Sequence, residues 1–308
     1  YVEKNGEMLS GAKESKTDYG KLYTPVYKEK YLSGVTYEIT AREDIITPEG
    51  TVWFHKGDVV DTFTTGDGIT TSSLLQLGKY SIKETATQTG FVLDENTYDF
   101  DVEYAGQMID VVEIKQAYVN ERQKLDLQIT KTFEDEDKEA YKDVVFGVYS
   151  KNDITVDDKV IIPEDGLVGT LTIDENGKNV EQLDLPTGVY YVKELETNVG
   201  FKLDEEEHDF TFNYDEDTTK ATVIVPMELH NKKRRIELDV NKVDKDHHDH
   251  FLNGAIFEVY DKTAKSYVTT LVSGQLMIVG NDANEEYEIS KNEDFTKIIK
   301  TVKTDENK

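Results

Sequence analysis

The chain has 308 residues, 35 lysines and arginines against 63 aspartates and glutamates, a net charge of −28, and no cysteine. So negative a surface repels a phosphate backbone, which excludes nucleic acid as a partner, and zero cysteine excludes disulfides, thiolate catalysis and cysteine-bound zinc. No apolar run approaches the roughly 20 residues that cross a bilayer, so no membrane insertion is expected, while 18 tyrosines and 12 phenylalanines are too many for a disordered chain.

In chain order, Val2 and Lys4 begin an alternating run, and a long stretch then leads to Gly34-Val35-Thr36-Tyr37-Glu38-Ile39. Turn signals at Pro48-Glu49-Gly50 and Gly66-Asp67-Gly68 precede Gly78-Lys79-Tyr80-Ser81-Ile82-Lys83-Glu84. Gly90-Phe91-Val92-Leu93-Asp94, Asp99-Phe100 and Tyr104 follow. The same order then recurs at an offset of about 110 residues: Asp143 to Val148, Gly188-Val189-Tyr190-Tyr191-Val192-Lys193-Glu194, Gly200-Phe201-Lys202-Leu203-Asp204, Asp209-Phe210 and Tyr214. A third copy begins at Ile236 and repeats the early strand as Gly254-Ala255-Ile256-Phe257-Glu258-Val259-Tyr260. Its last residues, Thr304 to Lys308, align with Asp174-Glu175-Asn176-Gly177-Lys178, which reads as a tight turn between strands. The spacing predicts three units, at 1–122, 123–233 and 234–308, the third incomplete, in a chain that is a piece of a longer array. The start at Tyr1, with neither Met nor a signal-peptide pattern, carries the same expectation.

Period-two alternation in Leu125, Leu127, Ile129, in Ile236, Leu238, Val240, and from Ala221 to Leu229 predicts strands. No segment carries a long helical period. About seven short strands in each unit of roughly 110 residues is the pattern of an all-β, tandem Greek-key β-sandwich of immunoglobulin-like type. The links at 121–124 and 232–235 are a few charged residues, short enough to favour a rod.

Three polar residues interrupt the inward faces at repeated places. Lys131 continues the parity of Leu125, Leu127 and Ile129; Glu194 that of Tyr190 and Val192; Asn231 that of Ala221 to Leu229. The first copy supplies Lys4, Glu84 and Asn120, and the third Lys242, whose partners would lie beyond Lys308. Burying an unpaired lysine or carboxylate is costly. Burial lowers an amine's pKa and raises a carboxylate's, so both can become neutral. A neutral amine is a nucleophile and a carboxamide carbon an electrophile, while a carboxylic acid can shuttle protons as ammonia leaves. The expected product is a Lys–Asn isopeptide bond between first and last strands, formed once per unit without external substrate.

These residues resemble the CnaB-type (SpaA-like, prealbumin-like) domains of Gram-positive surface adhesins and pilins. The opening strand of that family carries Lys, a Gly-Ala-x-Phe-x-Val-Tyr strand follows, a Gly-x-Tyr-x-Val-x-Glu strand leads into Ala-Pro-x-Gly-Tyr, and the closing strand ends in Asn. Here Gln88 and Asn198 stand where the family has Pro, and Phe91 and Phe201 where it has Tyr. The resemblance implies crosslink residues Lys4–Asn120, Lys131–Asn231 and Lys242, with Glu84 and Glu194 as proton shuttles. It also implies an extracellular, cell-wall-anchored stalk attached to peptidoglycan through a C-terminal region outside this chain. Other domains would hold a host matrix protein or glycan; alternatively one module is itself the adhesive head. No cofactor, metal or turnover of an external substrate is expected. Asp246-His247-His248-Asp249-His250 is read as a solvated loop rather than a metal cluster, the acidic runs Glu134 to Asp137, Asp204 to Glu207 and Asp215 to Asp217 as solubilising surface rather than Ca²⁺ sites, and Trp53 as strand packing rather than a sugar-binding platform.

Overall fold

A computed structural model describes residues 1–109, 111–134, 138–239, 243–248, 256–262, 266–272, 275–279 and 287–291. The first unit contains β1 (Val2–Thr17), β2 (Gly20–Tyr31), β3 (Thr36–Ala41), β4 (Ile45–Ile46), β5 (Val52–Phe54), β6 (Val59–Thr64), β7 (Ile69–Thr70), β8 (Gly78–Ala86), β9 (Thr97–Val102) and β10 (Gln116–Asn120). The second contains β11 (Lys124–Phe133), β12 (Val145–Ser150), β13 (Ile154–Val156), β14 (Lys159–Ile162), β15 (Leu167–Thr172), β16 (Gly188–Glu196), β17 (His208–Phe212) and β18 (Thr222–Asn231). A 3₁₀ turn at Lys138–Asp143 is the helical element among the described residues. Beyond them lie β19 (Arg235–Asp239), β20 (Ile256–Asp261), β21 (Ser266–Val272), β22 (Gln275–Val279) and β23 (Tyr287–Lys291). There β19 pairs with β22, and β20 lies between β21 and β23.

Each of the first two units sets a four-stranded sheet against a parallel pair made by its own first and last strands. In the first unit the order β6-β3-β8-β9 faces β1 and β10; in the second β15-β12-β16-β17 faces β11 and β18. Alternation explains the arrangement, since each strand turns every second residue inward. Leu125, Leu127 and Ile129 are buried with Phe146, Val148, Tyr190, Val192 and Leu229 in one core. Val2, Tyr37, Ile39, Tyr80, Ile82 and Tyr118 build the other. Each such side chain contributes about 1.5–3 kcal/mol relative to exposure. The turn expected at Asp174–Lys178 is present: Asp174 accepts from the backbone N–H groups of Asn176 and Lys178, and Gly177 takes φ 75°. A side chain at Gly177 would also strike the Lys131 carbonyl, so the turn can lie against β11 and accept the Lys131 N–H at 2.7 Å.

The stretch after Lys4 is a long hairpin. β1 and β2 pair from Asn5–Tyr31 out to Thr17–Gly20, with a bulge between Leu9 and Gly11. Past the bulge it leaves its own unit, and Ala12 and Tyr23 pack on the second core. Leu22 pairs with Leu167, which makes β2 an added edge strand on β15. The Tyr19 hydroxyl donates to Glu196 at 2.6 Å at the far end.

The charged link at 121–124 is partly buried, for Arg122 and Gln123 are essentially inaccessible. The Arg122 guanidinium stacks 3.6 Å from the Tyr27 ring centroid, lies 3.4 Å from Glu7, and pairs with Asp184 of the second unit. Gln123 donates to the Asp217 carbonyl at 2.9 Å and accepts from the Asp215 N–H at 2.9 Å. Gly90, at φ 94°, lets the backbone approach the Tyr214 ring, which any Cβ there would strike. A planar cation suits this site because it stacks and forks at once, which an ammonium does not. Arg122→Ala is expected to weaken the coupling between units by roughly 2–5 kcal/mol. Calorimetry should then resolve two separate melting transitions in place of coupled ones, and Arg122→Lys should not restore the coupling.

Candidate functional site

The parallel pairing of first and last strands fixes where the polar residues meet. Lys4 is opposite Tyr118 and Asn120 opposite Gly6; Lys131 is opposite Leu229 and Asn231 opposite Phe133. Each asparagine is thus the diagonal neighbour of its lysine on the same inward face, within reach of a long stem. Glu84 and Glu194 come from β8 and β16 in the facing sheets, so each trio spans its sandwich.

In the first unit Lys4 Nζ donates to Asn120 Oδ1 at 2.5 Å and to Glu84 Oε2 at 2.7 Å, and Asn120 Nδ2 donates to Glu84 Oε1 at 2.6 Å. In the second, Lys131 Nζ donates to Asn231 Oδ1 at 2.6 Å, lies 2.8 Å from Glu194 Oε1, and Asn231 Nδ2 donates to Glu194 Oε2 at 2.7 Å. None of the six residues is more than 2% exposed. Burial holds both lysines below their ordinary pKa, against the opposing pull of Glu84 and Glu194. Aromatic rings line the amines: Tyr37 at 5.9 Å from Lys4, and Phe146 and Phe133 at 5.2 and 5.6 Å from Lys131. The two carboxylates are held differently. Tyr37 Oη donates to Glu84 at 3.4 Å, whereas the Asp204 N–H donates to Glu194 at 2.8 Å, since Phe146 stands where a hydroxyl would be needed.

Two residues outside the expected trio also touch it. Asn120 Nδ2 donates to Thr87 Oγ1 at 2.9 Å, and Asn231 Nδ2 to Thr197 Oγ1 at 3.0 Å. A repeated Glu-x-x-Thr, at Glu84–Thr87 and Glu194–Thr197, is their signal in the sequence. Lys242 lies outside the described residues, as do Asp249 and His250, while Asp246, His247 and His248 are exposed. Among the described residues no group of three or more His, Asp or Glu side chains is placed to hold a metal ion, and no helix is long and apolar enough to cross a membrane. The acidic runs have protein partners where described: Asp215 accepts from Lys220 and the Asp217 N–H, Asp217 from Thr219, Glu207 from Lys151, and Glu134 from the Lys233 N–H; Asp135 to Asp137 lie outside the described residues. Trp53 sits in β5 as expected of a strand residue, but its side chain is 56% exposed and stacks only on Phe54.

Removing one member of a buried ion pair leaves the other charge without compensation. Lys131→Met is expected to lose roughly 3–5 kcal/mol from the uncompensated carboxylate, in addition to any covalent closure made through Lys131, measured by urea unfolding. Adding Glu194→Gln, which keeps the acceptor for Asn231 and Asp204 but removes the charge, should return part of that loss. Both variants lack the amine, so the comparison isolates the cost of burying the unpaired Glu194 carboxylate.

A family model described as SpaA, prealbumin-like fold domain, matches residues 25–117 and 126–225. No match was found among curated protein sequences. Among solved structures, the Bacillus anthracis TIE protein aligns over 96% of this chain at 19% identity and TM-score 0.56, and this chain spans 54% of that one. A C-terminal fragment of the pilus adhesin SpaC from Lactobacillus rhamnosus GG aligns over 54% of this chain and 75% of its own at 15% identity and TM-score 0.32. BcpA, the major pilin subunit of Bacillus cereus, aligns over 94% and 86% at 17% identity and TM-score 0.28. With two matched segments that together take in more than half of its residues, the chain belongs to the SpaA family of prealbumin-like fold domains.

Proposed function

We propose that this chain is a load-bearing stalk segment of a Gram-positive cell-surface adhesin, made of units at 1–122, 123–233 and 234–308. The first two close themselves with Lys4–Asn120 and Lys131–Asn231 isopeptide bonds. The observation that carries the reading is the twice-built buried trio, in which amine, carboxylate and carboxamide lie within hydrogen-bonding distance of one another.

The step balances without an oxidant or a second substrate. Lys131 passes a proton to Glu194 and becomes a free amine, which its depressed pKa favours. Nζ adds to Asn231 Cγ, the carbonyl π pair moves to Oδ1, and Glu194 protonates that oxygen. The proton lost from Nζ travels through Glu194 to Nδ2, Oδ1 returns its proton to Glu194 as the C=O bond re-forms, the Cγ–Nδ2 bond breaks, and ammonia leaves. Amine plus carboxamide give secondary amide plus ammonia. Lys4, Glu84 and Asn120 take the same parts. By analogy with a disulfide, closing a loop of about 100 residues stabilises by about 4.7 kcal/mol, and an amide needs no oxidising compartment.

The adhesive-head alternative has its own observation. A cleft of about 530 Å³ in the first unit mixes apolar residues such as Phe63, Leu74 and Phe100 with polar ones such as Ser72, Gln76 and Glu103. A saturable host protein or glycan bound there would favour the head over the stalk.

Intact mass tests the chemistry. Loss of about 17 Da per bond, so about 34 Da in all, is expected from elimination of ammonia. Glu194→Ala should remove one of the two losses and leave the other. An unmodified mass overturns the reading.

A further inference from the structure

We propose that the hydroxyls of Thr87 and Thr197 are catalytic groups that receive the departing nitrogen of Asn120 and Asn231 and pass ammonia out to solvent. The inference rests on the crosslinking reading above and adds to it two residues and a step.

Each carboxamide nitrogen has two N–H groups, and both are spoken for. Asn120 Nδ2 gives one to Glu84 at 2.6 Å and one to Thr87 at 2.9 Å; Asn231 Nδ2 gives one to Glu194 at 2.7 Å and one to Thr197 at 3.0 Å. With both fixed, the amide plane is set and Oδ1 faces the lysine. The opposite flip would turn an NH₂ group against the Lys Nζ donor, so the threonine helps select the reactive orientation. The arrangement occurs in both units, at the same place just past the end of β8 and of β16.

Position adds the second element. Lysine, glutamate and asparagine are buried, whereas Thr87 and Thr197 are half-buried at the margin of each trio. Ammonia formed at Nδ2 has the Glu carboxyl on one side and the hydroxyl of a half-buried Thr on the other.

The third element is charge. In the resting amide the nitrogen lone pair is delocalised and Nδ2 is neutral. After Nζ adds to Cγ, Nδ2 becomes a pyramidal amine and takes a third proton from the glutamic acid before the C–N bond breaks. The threonine oxygen accepts an N–H throughout, but only in the later state does that donor carry positive charge. A hydrogen bond from a cation is roughly twice as strong as a neutral one. The hydroxyl therefore stabilises the state on the way to ammonia more than the resting state, which is the condition for acceleration.

The test follows closure of the full chain in time. The chain is made by cell-free synthesis, quenched in acid at intervals and digested, and the two crosslinked peptide pairs are quantified separately by mass spectrometry. Each unit is then the clock for the other. Thr197→Val, which keeps the branched shape but has no acceptor, is expected to slow formation of Lys131–Asn231 about ten-fold relative to Lys4–Asn120 in the same molecule. Thr197→Ser should stay within about two-fold of the unaltered chain, and Thr87→Val should mirror the effect in the first unit. Equal rates for Val and Thr, or a Ser variant as slow as Val, overturns the inference and leaves the crosslinking reading standing. Absence of both crosslinked pairs in the unaltered chain overturns the two together.

Discussion

An ammonium and a carboxylate facing each other in an apolar sandwich are the constraint from which the rest of each unit follows. Two charges out of water lose hydration that their mutual attraction returns only with close geometry and further hydrogen bonds. Here the asparagine supplies those bonds: its carbonyl faces the amine and its NH₂ the carboxylate. That demand fixes the register of the parallel pairs, since a one-residue slip would turn lysine or asparagine to the opposite face. It also requires the facing sheet to place a glutamate over the pair, which β8 and β16 do. The same closeness that satisfies the charges brings a nucleophile to an electrophile, so structural satisfaction and reactivity are one geometry.

The two units differ most in what surrounds that geometry. The first carries the β1–β2 hairpin and lends it to its neighbour, so a continuous run of strands crosses the boundary from β10 through β1 and β2 to β15. Arg122 sits where hairpin and second unit meet, and its burial is tolerable because it has an aromatic face and two carboxylates. At the end of the second unit Lys233 occupies the matching position, bridged to Phe201 as Arg122 is to Phe91. It is also buried, but an ammonium has no plane to stack.

Parity made the trio legible in the sequence. Lys131 in step with Leu125, Leu127 and Ile129, and Glu194 in step with Tyr190 and Val192, point inward because strands alternate, and nothing tertiary overrides that rule here. Thr87 and Thr197 were equally repeated, but they lie past the strand ends, where parity no longer tells which way a side chain turns. The hairpin was present only as a long interval after Lys4, because its outer half alternates polar residues and its burial comes from a neighbouring unit. Arg122 reads as linker charge for the same reason: whether a guanidinium meets water or a tyrosine ring is decided by residues far along the chain. Trp53 shows the converse: its strand context is legible, but its side chain is 56% exposed and stacks on Phe54.

With both crosslinks in place, the covalent route through the molecule is short. Tension arriving at Lys4 crosses to Asn120, runs along residues 121–130 to Lys131, and crosses again to Asn231. Residues 5–119 and 132–230 lie off that route, so neither core can be drawn out strand by strand. The hairpin is off it too, while Arg122 is on it, with its side chain anchored to Glu7 on one side and Asp184 on the other. In the proposed crosslinked stalk, load would be felt first at the seam between units, where noncovalent contacts lie in parallel with a ten-residue link. In that reading the Arg122 contacts to Tyr27, Glu7 and Asp184 are the ones that would resist parting of the two sandwiches.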